Sequence, residues 1–222
     1  MDHPTEILMI RHGQTDWNLQ KRLQGHSDTP LNENGIKQAL TLAQTLRNEP
    51  LSAVFSSDLQ RAYKTAKEIA KLHNLPVQKD PNLRERCYGA FEGMSKPEIK
   101  EQYPESHAAW YAADPDHLFP SGKRVAESIR EFHHRAISTI VQIASQYAGK
   151  KIALIAHFGI IESAYRASQD MPFGIRLQMP QPVLNTSINR FLVKNNSIEL
   201  LQWGEAEHLE TSQKPVNYYK HF

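Results

Sequence analysis

Two arginines, two histidines and a glutamate lie just beyond short apolar runs in this chain of 222 residues. Arg11-His12-Gly13 follows Ile7-Leu8-Met9-Ile10, Arg61 comes shortly after Leu51-Ser52-Ala53-Val54-Phe55, and His157 follows Ile152-Ala153-Leu154-Ile155-Ala156. Glu85 follows Leu83-Arg84. In open α/β sheets ligands collect beyond the carboxyl ends of the strands, so these groups are predicted to converge there. Arg11, Arg61, His12 and His157 together suit a compact dianion, because a planar guanidinium meets phosphate oxygens bidentately. Neighbouring cations disfavour a protonated imidazole, so a histidine among them keeps its lone pair. His12 is therefore a candidate acceptor of a phosphoryl group by in-line displacement, while the cations hold the equatorial oxygens. Glu85 is the acid best placed to protonate the leaving alkoxide and then to activate water.

The elements that must position these groups alternate along the chain. A strand at about 6–10 leads into a polar loop at 11–30. A helix from Asn32 to Pro50 carries Ile36, Ala39, Leu40, Ala43 and Leu46 at helical spacing. A strand at 51–55 precedes a helix capped by Ser56-Ser57-Asp58, with Ala62, Ala66, Ile69 and Leu72 as its buried face. The positive end of that helix adds to the field around Arg61. A short extended piece at 76–79 follows. Pro97, Pro104, Pro115 and Pro120 then break the chain into helical pieces carrying Trp110, Tyr111 and Phe119. This stretch, about 93–124, is predicted to be an inserted lid or rim, too short for a core of its own. A helix at 125–147 with Ile129, Phe132, Ala136, Ile140 and Ile143 on one face ends at Gly149 as C-cap. A buried strand at 151–156, a helix at 160–168 and an edge hairpin turning at Asn195-Asn196 complete the order. The expected fold is α/β: one domain over 1–222, a three-layer α/β/α sandwich on a mostly parallel central sheet.

Composition narrows the function. Hydrophobic residues make up 40% and charged residues 23%, the balance of a globular protein with a sizeable core. The net charge is only +2 and no Lys/Arg run occurs, which speaks against bulk nucleic-acid binding. No basic-then-apolar leader and no membrane-length apolar stretch is present, and a cytoplasmic location is expected. Cys87 is the only cysteine, so no internal disulfide or multi-cysteine metal site can form, and it is expected as a packed thiol. His133 and His134 are adjacent helix positions that point apart and offer no shared ligand face.

The residues around these groups resemble a known family. Leu8-Met9-Ile10-Arg11-His12-Gly13-Gln14-Thr15-Asp16-Trp17-Asn18 is similar to the signature of the histidine phosphatase superfamily, in the branch that includes cofactor-dependent phosphoglycerate mutases. Ser56 to Ala66 resembles its second motif, Leu83 to Gly89 with Glu92-Gly93 its third, and Ala156-His157-Phe158-Gly159 its fourth. The four stand in the family's order and span most of the chain. The resemblance implies a phosphoglycerate mutase-like fold. It makes His12 the phosphate-accepting nucleophile and Glu85 the proton donor. It places Arg11, Arg61 and His157 in the phosphate pocket, and Asn18 and the backbone around Gln24-Gly25 at the phosphate or its rim. No metal and no organic cofactor is implied.

Two departures stand out. Phe158 occupies a position where members usually have glycine; a backbone N–H survives there, but the ring must find room. Gly122-Lys123-Arg124 replaces a common Gly-Glu-Ser, and two cations at the rim are expected to favour a substrate with a second anionic group. The leading expectation is a phosphomonoester hydrolase acting through phosphohistidine on a small phosphorylated metabolite. A phosphoglycerate mutase would use the same residues, but the short insertion and Gln14, where such mutases usually have glutamate, favour hydrolysis. A non-catalytic phospholigand-binding protein is the alternative of another class, and the retention of His12 and Glu85 speaks against it. The sequence leaves a homodimer open and assigns no role to the polar tail at 204–222.

Overall fold

Alternation along the first strand dictates the layers. In β1 (Thr5–Arg11), Ile7 and Met9 face one apolar core and Leu8 and Ile10 another, and all four are fully buried. A strand apolar on both faces needs helices on both sides. The computed structural model describes residues 3–175 and 177–209. It supplies those helices, and the fold is the expected three-layer α/β/α sandwich. α2 (Glu33–Leu46) and α3 (Gln60–His73) cover Leu8 and Ile10 through Leu42, Leu46, Ala62, Ala66 and Ile69. α6 (Ile129–Ser145) and α7 (Phe158–Ser168) cover Ile7 and Met9 through Phe132, Ala136, Ile140, Ile160 and Ile161. A one-turn helix, α1 (Asp16–Leu19), lies in the loop after β1.

The central sheet has six strands in the order β3-β2-β4-β1-β5-β6, with β2 at Leu51–Ser56, β3 at Val77–Lys79, β4 at Lys151–Ala156, β5 at Ile188–Lys194 and β6 at Ser197–Glu205. β1 to β4 run parallel; β5 and β6 are antiparallel to their neighbours. The carboxyl ends of β1, β2 and β4 therefore share one edge, and the amino end of β5 joins them there. Pairing of Arg11 with Ala156 sets the chain exits of β1 and β4 side by side. The β5–β6 hairpin turns through Asn195 and Asn196, both at positive φ, as a two-residue hairpin requires.

Several local expectations need correction. Ile36 and Leu40 are each 49% exposed, because α2 turns Gly35 and Gln38 inward instead. The loop after β1 crosses the helix there, and the Gln38 side-chain Oε1 accepts from the Gln14 backbone N–H at 2.9 Å. Leu72 is exposed because Ile69 and Ala70 take the inner positions of α3. Ser56-Ser57-Asp58 gives α3 no side-chain cap: Asp58 is held by Arg84, and the Gln60 N–H donates to Asp28, 32 residues upstream, at 2.7 Å. The long helix starts at Ile129 rather than 125, where Ser128 and Glu131 form a capping box. It ends at Ser145, and Gly149 serves a turn whose N–H donates to the Pro4 carbonyl. α7 begins two residues earlier than expected, with His157 at its N-cap.

Within the 93–124 stretch, α4 (Lys96–Gln102) and α5 (Pro104–Tyr111) gather a small apolar cluster of Phe91, Ile99, Phe119 and Ala126, edged by Tyr88 and Trp110. Among the described residues no helix is long and apolar enough to cross a membrane. The tail from 210 onward, with Tyr218-Tyr219, lies outside the described residues.

Candidate active site

The two histidines meet at the shared strand edge. His12 extends the β1 ladder, its N–H donating to the Ala156 carbonyl at 3.0 Å, and His157 leaves β4 beside it. Their ring centroids are 5.2 Å apart and the rings are inclined by 59°. The Nδ1 of His12 lies 2.7 Å from the Gly13 carbonyl oxygen. A carbonyl only accepts, so Nδ1 carries the proton and Nε2 is left with its lone pair. Among the described residues neither ring nitrogen of His157 has a hydrogen-bond partner, although the residue is fully buried. Burial, followed by the charges of Arg61 and Arg11, holds His12 well below the usual histidine range. Burial does the same for His157, with Arg61 the next largest cause. Both imidazoles are thus neutral near pH 7.

The cations are fixed by backbone carbonyls. Arg61, fully buried in the first turn of α3, donates to the Gly25 and Ser27 carbonyls at 2.8 Å each, while its Nε–H has no partner among the described residues. Burial pushes its pKa down to about 10, with Glu85, Asp28 and Glu92 favouring the charged form, so it remains a cation at neutral pH. Arg11 donates to the Val183 carbonyl at 2.7 Å. Two guanidiniums, two unprotonated imidazole nitrogens without partners and an unpaired Nε–H form a nest of donors and lone pairs for one tetrahedral anion.

Gly25 enters this arrangement through its carbonyl rather than its N–H. It sits at φ +50, and a Cβ there would come within 2.4 Å of Glu92 Oε1, so the loop that aims the carbonyl at Arg61 needs glycine. Gln24 is buried, with its side-chain oxygen accepting from the Thr29 hydroxyl. Asn18 uses its oxygen to close the capping box of α1 with Thr15. Asn185 links it to the start of the loop after β1, donating to Asn18 Oδ1 at 3.3 Å and to the His12 carbonyl at 2.9 Å.

Glu85 stands at the border between this nest and a cavity of about 550 Å³, a volume typical of ligand sites. Its Oε1 accepts from the Arg86 N–H at 2.8 Å and its Oε2 from the Gly159 N–H at 3.1 Å. A Cβ at Gly159 would meet Glu85 Oε1 at 2.3 Å, so glycine at this position lets α7 reach the carboxyl. Phe158 finds its room in the cavity wall, its ring centroid 5.9 Å from the Arg11 guanidinium carbon. Trp110, Tyr88, Phe132, Met179 and Leu177 add apolar wall, and Arg86, Lys96, Arg166 and Glu162 add charge. Lys123 and Arg124 are not part of that wall; Arg124 lies 3.5 Å from Glu92 instead. Cys87 is buried, with its thiol 3.5 Å from Glu92, and burial pushes its pKa up. Among the described residues no three His, Cys, Asp or Glu side chains gather as a metal-ligand set.

Two residues of this region escaped the sequence reading. Asn185 sits in an irregular segment with no motif, and only the antiparallel return of β5 brings it to His12. Glu162 was recoverable: Phe158, Glu162 and Arg166 recur every four residues and so share one face of α7.

Residues 7–206 match the model of the histidine phosphatase superfamily, branch 1. The chain is 35% identical over 208 residues to phosphoglycerate mutase-like protein 4 of Arabidopsis thaliana, covering 92% of this chain and 87% of that one. It is 34% identical over 210 residues to the metal-independent phosphoserine phosphatase of the same plant, covering 93% and 84% respectively. The solved structure of Bacillus stearothermophilus YhfR superposes with a TM-score of 0.82 at 27% identity, over 93% of this chain and all of that one.

Proposed function

The chain belongs to the histidine phosphatase superfamily and is a phosphoric monoester hydrolase, and from that premise we propose how its residues divide the reaction. His12 is the nucleophile, carried by one observation: Nδ1–H donates to the Gly13 carbonyl, which leaves Nε2 unprotonated between two guanidiniums. The Nε2 lone pair attacks phosphorus in line as the ester P–O bond breaks. Arg11, Arg61 and His157 hold the equatorial oxygens, where their charge and donors stabilise the transition state more than the ground state. Glu85, at the border with the cavity, gives its proton to the departing alkoxide oxygen. The same carboxylate then takes a proton from water, which attacks the phosphohistidine; the P–N bond breaks and inorganic phosphate leaves. Both Glu85 oxygens accept one backbone N–H each, which orients the carboxyl and leaves a lone pair on each for the proton.

The substrate is a small phosphorylated metabolite, with its phosphate among the histidines and its alcohol portion in the cavity beyond Glu85. Asn18, Gln24 and Gly25 act through the loops that aim Arg61 and His12, and Phe158 borders the alcohol portion. The 93–124 stretch belongs to the same domain and forms one wall of the cavity through Lys96 and Trp110. We place the protein in the cytoplasm, a reading supported by its single, buried cysteine. A phosphorus NMR time course on mixed small phosphomonoesters tests the whole assignment, with wild type and His12→Ala side by side. Growth of free phosphate with wild type alone supports hydrolysis through His12; conversion of 3-phosphoglycerate to 2-phosphoglycerate without free phosphate would overturn it in favour of a mutase.

A further inference from the structure

The cavity beyond Glu85 contains two charged groups of opposite sign that the fold leaves unanswered. Glu162, on α7, lines the cavity and makes no hydrogen bond or ion pair among the described residues. Its nearest cation on the same helix, Arg166, is committed elsewhere, donating to the Pro172 carbonyl and, at 3.0 Å, to the Ile175 carbonyl. Arg86 is buried, with its Nε–H donating to the Glu127 carbonyl at 2.8 Å and its guanidinium 4.6 Å from the Phe119 ring centroid. Arg86 lines the cavity, and among the described residues its side-chain hydrogen bond is made through Nε, not through the terminal nitrogens. Glu162 and Arg86 feel each other's charge, yet they do not approach within 4.0 Å to form an ion pair. Burial, reinforced by Glu85 and opposed by Arg166, Arg86 and Lys96, pushes the Glu162 carboxyl up to about 7. Largely buried charges without a direct partner are costly to hold, so a ligand that answers both gains from each.

We propose that Glu162 and Arg86 read the alcohol portion of the substrate as a pair, selecting a phosphomonoester whose leaving group carries both an ammonium and a carboxylate. The ammonium meets Glu162 and the carboxylate meets the free edge of the Arg86 guanidinium. This rests on the hydrolase reading above and adds the chemistry of the leaving group. It also replaces Lys123 and Arg124, which lie outside the cavity wall, as the source of selectivity.

The test compares kcat/KM at pH 8 for O-phosphoserine, 3-phosphoglycerate and O-phosphoethanolamine. 3-Phosphoglycerate keeps the shape of phosphoserine but replaces its ammonium with a hydroxyl, and phosphoethanolamine lacks only the carboxylate. Wild type is expected to favour phosphoserine roughly tenfold over each, the worth of one charge-assisted hydrogen bond. Glu162→Gln should cut the phosphoserine to 3-phosphoglycerate ratio about tenfold while leaving the phosphoserine to phosphoethanolamine ratio near its wild-type value. Ratios within one variant cancel any loss of folded enzyme. Equal rates for phosphoserine and 3-phosphoglycerate in wild type, or an unchanged ratio in Glu162→Gln, would overturn the pairing while leaving hydrolysis intact. If no ester releases phosphate and no phosphohistidine forms, the hydrolase reading falls first and the pairing with it.

Discussion

The histidine nest and the cavity beyond Glu85 are built on opposite plans. The nest gathers groups that favour negative charge, and nearly every part of it hangs from the sheet: Arg11 and His12 from β1, His157 from β4, Arg61 from the turn after β2. Its guanidiniums are tied to carbonyls of Gly25, Ser27 and Val183, so little reorganisation is needed when an anion arrives. The cavity mixes both signs, draws its walls from α4, α5, α6, α7, Ile175 and residues 177–182, and leaves Glu162 and the terminal nitrogens of Arg86 without a hydrogen-bond partner among the described residues. A site preorganised by a sheet suits one transition state; a site walled by short helices and loops suits a choice among leaving groups. Glu85 and Gly159 join the two, with one side chain and one backbone N–H.

Removing a group from the nest should cost far more than removing one from the cavity. His12→Ala should lower turnover on the order of 10⁴-fold or more for every ester, seen in phosphate release. Glu85→Gln should lower kcat by roughly 10²- to 10⁴-fold, and less for esters with acidic leaving alcohols such as p-nitrophenol. Equal losses on acidic and ordinary leaving groups would remove Glu85 from the proton-donor role.

Gly159→Ala tests the hinge between the regions. Its methyl would lie 2.3 Å from Glu85 Oε1 and 2.8 Å from Phe132 Cε1, so the carboxyl must move. A fall in kcat of roughly tenfold and a stability loss of about 1–3 kcal/mol are expected, by kinetics and urea unfolding. A wild-type kcat would mean that the Gly159 N–H does not orient Glu85.

The nest also has a pH signature. His12 and His157 have folded pKa values well below 6.5, whereas the unfolded chain takes up protons near 6.5. Folded stability is therefore full above about 6.5 and falls as the pH drops below it, by up to about 1.4 kcal/mol per pH unit for each histidine. His133, pushed down to about 4 by burial, adds the same slope over that window. Urea unfolding between pH 7.5 and 5 measures it, and His157→Gln should make it shallower by one histidine's share while His12 and His133 keep the rest. A flat wild-type profile would contradict the neutral nest. The smallest effect belongs to the outer rim: Lys123→Ala/Arg124→Ala should change kcat/KM less than about twofold and stability by under about 0.5 kcal/mol.

What the sequence shows of this design follows the same division. Groups at strand ends are legible, because a short continuous apolar run announces its own end; Arg11, His12 and His157 all follow such runs. Arg61 and Glu85 become legible once the strands are placed. Contacts made by chain return are not: Asp28 caps α3 from 32 residues away, and Asn185 reaches His12 only because β5 runs antiparallel to β1. The outward turn of Ile36 and Leu40 depends on a loop crossing at Gly35, which helical periodicity does not report. Ser128 and Glu131, by contrast, form a capping box at sequence spacing, and that signal sets the true start of α6.

The most direct test is to stop the reaction in its first turnover and locate the phosphoryl group. Enzyme mixed with radiolabelled O-phosphoserine, quenched in alkali within milliseconds and digested, should carry a base-stable, acid-labile phosphoryl group on the peptide containing His12. Its burst should match the enzyme concentration and vanish in His12→Ala. Label on His157, or turnover that persists in His12→Ala, would contradict the assignment of the nucleophile.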